Sequence, residues 1–284
     1  MPRASSFDLV VATVGRTAEL SSLLDSLATQ THHLARVVVV DQNDDDRLAP
    51  VLGAHPSLAI ERLASSPGLS RARNRALPHL AAELVAFPDD DCVYPPDLLE
   101  RVAARFDGDA GLGILCGRLA DTTGRSIGRW PARRGRIGLD DVWHAATSAT
   151  IFARRDVVAL VGTFDEQLGL GPESRFASGE EIDYLVRALR ADVRIEYDPA
   201  LVVVHPLSRS SAAELVALGR RDGGSVGYVL ARHGYPATAV ARMLLRPAIG
   251  AMASLVLLDT TRARFHAATL VGRVCGLCYG RSRR

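Results

Sequence analysis

The chain of 284 residues contains no lysine, and all 34 of its basic side chains are arginines. That absence excludes a Schiff-base aldolase, a pyridoxal-phosphate enzyme and a Walker-type ATPase, each of which needs a lysine amine at its centre. Aromatic residues are sparse at 5%, so the core must be mainly aliphatic. Cys92, Cys116, Cys275 and Cys278 are too few and too scattered for a disulfide framework. Cys275 and Cys278 form a lone CxxC with no second pair to complete a zinc site. A strong net charge is missing too: 32 acids leave the chain at +2, which argues against a nucleic-acid partner. Long apolar runs are absent as well. The most apolar stretch, 247–258, falls short of the roughly 20 residues of a spanning helix and then meets Asp259. The opening MPRASSFDLVVATVG is too short and too polar-flanked for a signal peptide, so cytoplasmic residence is the expectation.

What is present is alternation. Short β-branched runs at 7–14, 37–40, 59–63 and 84–87 alternate with helical periodicity at 17–29 and 70–80. The four consecutive valines from Val37 read as a strand buried on both faces. The order predicts an α/β protein with a mainly parallel sheet and helices on its faces. Residues 118–138 are rich in glycine and arginine and read as an exposed, mobile loop. Helices are predicted at 155–161 and 179–191, and strands at 193–197 and 201–204. Beyond Ser208 the strand signal ends, and the chain is rich in Ala, Leu, Val and Arg. Two domains are therefore expected, 1–208 and a helical segment 209–284. Arginines alternating with apolar runs would let residues 212–284 lie on an anionic membrane surface.

The chemistry-bearing residues cluster at the ends of these runs. Asp89, Asp90 and Asp91 follow a buried strand directly, where ligands of open α/β sheets gather. Carboxylates there are costly unless solvated or neutralised, and acids spaced i and i+2 suit a hard divalent cation. Asp41 ends the valine strand and can accept hydrogen bonds from a base or ribose. Arg71, Arg73 and Arg75 lie near a helix start, placed to hold phosphates or the acidic cluster. Glu180, Glu181 and Asp183 open another helix, and His205 ends a strand as a nitrogen donor.

In this order the segments VVATVGR, VVVVDQNDD, GLSRARNRAL, FPDDDCVYPPDLL, FDEQLGLGPESRFASGEEIDYLVRAL and YDPALVVVHP resemble the family 2 inverting glycosyltransferases. The resemblance runs from Asp8 to His205. It implies a GT-A fold, a Rossmann-like mixed but mainly parallel sheet flanked by helices. It also implies transfer of a hexosyl or deoxyhexosyl group from a nucleoside diphosphate to an acceptor hydroxyl, with inversion. Thr13, Arg16, Asp41, Arg73, Asp89 and Asp90 would border the nucleotide-sugar, and Asp91 with His205 would hold Mn or Mg. The GEEID segment stands where the family carries GEDxD, so the implied base is Glu181 rather than an aspartate, with Glu180 and Asp183 as alternatives.

Trp130 and Trp143 are candidate platforms for the acceptor, a saccharide or a lipid-linked one of cell-surface glycan synthesis. A sugar-phosphate nucleotidyltransferase is disfavoured because its signature relies on lysines. A non-catalytic nucleotide-sugar-binding or scaffold subunit of a membrane glycan-assembly complex is the alternative to an enzyme.

Overall fold

The computed structural model describes residues 5–32, 34–206 and 211–282. The chain divides into two compact units, Met1–Phe164 with Tyr184–Leu207, and Asp165–Asp183 with Ser208–Arg284. The sequence pattern places a single boundary at residue 208, whereas this division also assigns Asp165–Asp183 to the second unit.

The first half of the first unit runs β1 (Phe7–Thr13), α1 (Ala18–Ala28), β2 (Leu34–Asp41), α2 (Ala49–Gly53), β3 (Ile60–Ala64), α3 (Leu69–Ala76) and β4 (Leu84–Ala86). Then follow α4 (Leu98–Asp107), β5 (Ile114–Ala120), β6 (Gly135–Arg136), α5 (Val142–Ala145), β7 (Ile151–Arg154) and α6 (Arg155–Val161). Helix α7 (Glu180–Arg190) and β8 (Ile195–Val204) complete the sheet region. The strands form one sheet in the order β3-β2-β1-β4-β7-β5-β8-β6. Pairings of β1 with β2 and β4, of β2 with β3 and of β5 with β8 are parallel, while β7 and β6 run against their neighbours. The sheet is thus mixed and mainly parallel.

The aliphatic core follows from the strand sequences. Val37 to Val40 are all fully buried, as a central strand covered on both faces requires. Leu20, Leu23, Leu24 and Leu27 recur at helical spacing on the buried side of α1. Each such side chain contributes about 1.5–3 kcal/mol of burial. Phe7, Tyr94, Phe106 and Phe152 supply the few rings in the same core.

Two expectations change here. Strands predicted at 193–197 and 201–204 are one ten-residue strand, β8, with a register irregularity where Cys116 pairs with Tyr197 but Arg118 with Val202. Pro199 lies in that irregularity, where its missing N–H costs no ladder bond. The stretch 118–138 is not one loop: it begins as the end of β5 and contains the edge strand β6. Most residues between these strands are exposed.

The second unit contains α8 (Ala212–Arg232), α9 (Ala237–Val256) and α10 (Thr260–Ser282). Helix α8 starts with a capping box in which Ser211 and Glu214 satisfy each other's backbone N–H. Its glycines at 223 and 227 face the α10 backbone at Thr269 and Arg273, and those at 272 and 276 of α10 face the α8 backbone at Arg220 and Gly224. A Cβ at Gly276 would lie 2.0 Å from the Gly224 carbonyl oxygen, and one at Gly227 2.1 Å from that of Arg273. No other residue permits this approach, and dispersion between the two backbones replaces side-chain interlock. Among the described residues, α9 alone is long and apolar enough to cross a membrane by length and composition, and 28% of its apolar window is buried. The sequence count began at Pro247 because Arg242 and Arg246 interrupt the apolar pattern; the helix itself begins ten residues earlier.

Candidate active site

The carboxyl ends of the parallel strands carry the predicted acids. Thr13 and Asp41 end β1 and β2 and face each other in register, and β4 leads through Phe87 and Pro88 into Asp89. The turn after Asp91 is stapled to the end of β8: Val93 donates to the Val204 carbonyl at 2.8 Å and Val204 donates back at 3.0 Å. This bridge is why Asp91 and His205, distant in sequence, meet. His205 Nε2 lies 3.0 Å from Asp91 Oδ1.

Arg16 closes the other side. Its Nη1 donates to Asp90 Oδ1 at 2.8 Å and to Asp91 Oδ2 at 2.5 Å. Burial opposes ionisation of Asp91, but His205 and Arg16 outweigh it and hold its carboxyl below the usual range. Burial dominates at Asp90 and pushes its carboxyl up, with Thr13 and Arg16 pulling the other way. Thr13 Oγ1 is itself buried without a well-aligned hydrogen bond. The bond to Asp91 raises the His205 pKa despite burial. Its Nδ1 lies 2.9 Å from the Pro206 carbonyl, which can only accept, so that nitrogen carries a proton. The ring is thereby oriented with Nε2 toward Asp91, the arrangement that metal-binding histidines use.

Asp89 Oδ1 accepts from Ser148 Oγ at 3.0 Å and from the buried Arg73 at 3.3 Å. Arg73 also lies over the Phe164 ring, 5.5 Å from its centroid. Asn74 fixes that phenylalanine by exchanging hydrogen bonds with its backbone N–H and carbonyl. Asp41 is buried and well satisfied: Arg62 donates twice to Oδ2 at 2.7 and 2.9 Å, and Asn43 donates twice to Oδ1. Asn43 in turn accepts from the Gly15 N–H at 2.7 Å. Sequence reasoning missed Arg62 and Ser148, ordinary polar residues in segments without a motif, and Asn43, which lies within VVVVDQNDD but carries no charge to single it out.

A divalent ion has a partial donor set here. Among the described residues no group of three or more His, Cys, Asp and Glu side chains converges. Asp91 and His205 offer one hard oxygen and one imidazole nitrogen, a pair that suits Mn or Mg when further oxygens come from a bound diphosphate. An ion held by the two would take the place of their mutual hydrogen bond.

In the second unit, Glu180 is buried and Glu181 half-buried. Asp183 is fully enclosed, its Oδ1 accepting from His233 at 2.8 Å with Arg232 at 3.3 Å. Arg232 and Tyr228 continue this network to Asp165, whose carboxylate accepts the Tyr228 hydroxyl at 2.9 Å. Burial, reinforced by Asp165, pushes the Tyr228 hydroxyl up to about 12. His233 and Arg232 had no sequence signal as partners of the GEEID segment. In the first unit Trp130 stacks on Tyr197 with centroids 6.3 Å apart, and its indole N–H donates to the Ile127 carbonyl. Trp143 lies in α5, well apart from Trp130 in sequence.

A mainly parallel α/β sheet with acids, arginines and a histidine gathered beyond its strand ends is the arrangement in which open α/β proteins bind their ligands. Comparison with known proteins narrows this to a family. Residues 8–161 match glycosyl transferase family 2, and the chain belongs to that family. The pre-mycofactocin glycosyltransferase of Mycobacterium tuberculosis is 27% identical over 214 residues, covering 70% of this chain. The chain spans 43% of that relative's length. The fold is of the GT-A type. The mannosyltransferase PcManGT from Pyrobaculum calidifontis, solved with GDP-Man and Mn2+, superposes with a TM-score of 0.65 at 17% identity, over 96% of this chain and 88% of that one. S. aureus TarS 1-349 with UDP-GlcNAc gives 0.57, also at 17% identity, over 96% and 91%.

Proposed function

We propose that the protein moves a hexosyl or deoxyhexosyl group from a nucleoside diphosphate to an acceptor hydroxyl, with inversion, in the presence of Mn or Mg. The observation that carries this reading is Asp91 shared between Arg16 and His205 beside the strand ends, in a member of glycosyl transferase family 2. A bound divalent ion supplies electrostatic stabilisation of charge developing on the leaving diphosphate. Asp91 and His205 would hold it, with the Pro206 carbonyl keeping the ring oriented.

The remaining roles rest on this chain's own groups. Asp41, oriented by Arg62 and Asn43, accepts from the base, and Thr13, Arg16, Asp89 and Asp90 line the rest of the donor. Arg73 secures Asp89. Glu181 takes the acceptor proton as the hydroxyl attacks, and no covalent nucleophile is needed. Among the three acids Glu181 is the least buried, while Asp183 is occupied by His233 and Arg232. Trp130 and Trp143 contact the acceptor, a saccharide or a lipid-linked precursor of a cell-surface glycan. Residues 1–208 act as the catalytic domain, and 212–284 make peripheral contact with the inner face of the plasma membrane.

A thermal-shift screen with UDP-, GDP- and dTDP-sugars, with and without Mn, tests the reading. One donor should stabilise the protein only when Mn is present and should be slowly hydrolysed. The second reading, a donor-binding scaffold subunit, draws on Glu181 standing where the resemblance has an aspartate. Binding without transfer or hydrolysis in single-turnover assays across all donors would favour it.

A further inference from the structure

We propose that the turn between α9 and α10 is a shallow insertion tip for an anionic lipid surface, with the outward face of α9 lying in the headgroup layer. The inference rests on the peripheral-contact reading above and names its residues and depth. Leu255, Val256, Leu257 and Leu258 are 59, 83, 76 and 86% exposed, a run of large apolar side chains at the end of one helix and the start of a turn. Ile249 and Met252, 62 and 68% exposed, extend it back along the same face. A water-facing turn ordinarily carries polar residues and glycine, and contiguous exposed apolar surface marks an interaction site. Leu258 adds a second observation. Its φ of 56° places it in the left-handed region, where glycine or asparagine normally closes a helix. The chain therefore keeps a strained leucine at the most exposed of these large apolar positions.

Charge identifies the occupant. Arg242 and Arg246 share the outward face of α9 with Leu245 and Ile249, and Arg262 and Arg264 follow the turn on α10. Residues 212–284 carry eleven arginines against three acids. An apolar tip rimmed by arginines suits acyl chains beneath anionic headgroups, where each basic residue adds to the attraction. A second copy of this chain would bring two such positively charged surfaces together. A spanning arrangement would bury Arg242 and Arg246 in hydrocarbon, because both lie inside the apolar helix itself.

Flotation of the full chain with vesicles of phosphatidylcholine alone, or containing 30% phosphatidylglycerol, tests the proposal. At least tenfold more protein should float with the anionic vesicles, salt should weaken the binding, and alkaline carbonate should release it. The L257D/L258D variant should lose at least tenfold in binding while keeping its melting temperature. R262E/R264E, on the charged rim rather than in the apolar run, should lose binding to anionic vesicles specifically. Equal binding by L257D/L258D, or no binding of the wild type to either vesicle, overturns the proposal. Resistance to carbonate overturns it in favour of a spanning helix, and a stable dimer abolished by L257D/L258D overturns it in favour of self-association. Mn-dependent donor binding is measured on the same samples; its loss in the wild type counts against the proposed enzyme, and its retention without flotation counts against the tip alone.

Discussion

The sheet and the C-terminal helices solve opposite problems with the same cation. Residues 1–211 hold 23 arginines against 29 acids, a net charge of −6, whereas residues 212–284 hold 11 against 3, a net charge of +8. In the first region arginines neutralise carboxylates: Arg62 grips Asp41, Arg73 reaches Asp89, and Arg16 bridges Asp90 and Asp91. In the second, helices α8 and α10 meet through glycine backbones, and many arginines are left on the outer surface. The contrast teaches that missing lysine has different consequences in the two regions. The planar guanidinium suits bidentate and bridging contacts to acids in a crowded site. On the helices several arginines lie on the outer surface instead, Arg242, Arg246, Arg262 and Arg264 among them.

The largest effect should come from breaking the acid site. Asp91→Ala is expected to lower transfer about 10²–10³-fold and to abolish the Mn-dependent thermal shift, read by steady-state kinetics and melting curves. The helix pair should respond in stability. Gly276→Ala should cost about 3 kcal/mol in urea unfolding because the new methyl meets the Gly224 carbonyl. Gly135→Ala, with open space around it, should stay within about 0.5 kcal/mol and serves as the control. Asp183→Asn keeps the shape but weakens the bonds to His233 and Arg232, and should cost about 1–3 kcal/mol by the same unfolding measurement. A smaller loss than at Gly276 is expected from Trp130→Ala, about 1 kcal/mol from the lost stack on Tyr197. A large drop for Gly135→Ala, or none for Gly276→Ala, would remove the proposed difference between the two regions.

Legibility in the sequence follows the same division. Strands β1, β2 and β4 were readable because buried parallel strands are continuous apolar runs. Strand β5 was not, since ILCGRLA mixes glycine and arginine into its pattern. Pro199 hid the continuity of β8. Asp41, Asp89, Asp91 and His205 were legible as strand-end residues. Their partners Arg62 and Ser148 were not, because contacts across a sheet leave no local pattern. The link from Asp183 to His233 was hidden for the same reason, one residue lying in a motif and the other in a plain helix. Glycines at 219, 223 and 227, and at 272, 276 and 280, did carry a readable four-residue spacing. Only the structure pairs the two sets.

The central claim is that Asp91 and His205 hold a divalent ion needed for donor binding. Calorimetric titration of the donor found by the screen, into the wild type and into His205→Gln, with Mn and then with EDTA, tests it most directly. The account predicts binding by the wild type with Mn, at least tenfold weaker binding in EDTA, and a much smaller Mn effect in His205→Gln. Equal donor affinity with Mn and with EDTA in the wild type would contradict it.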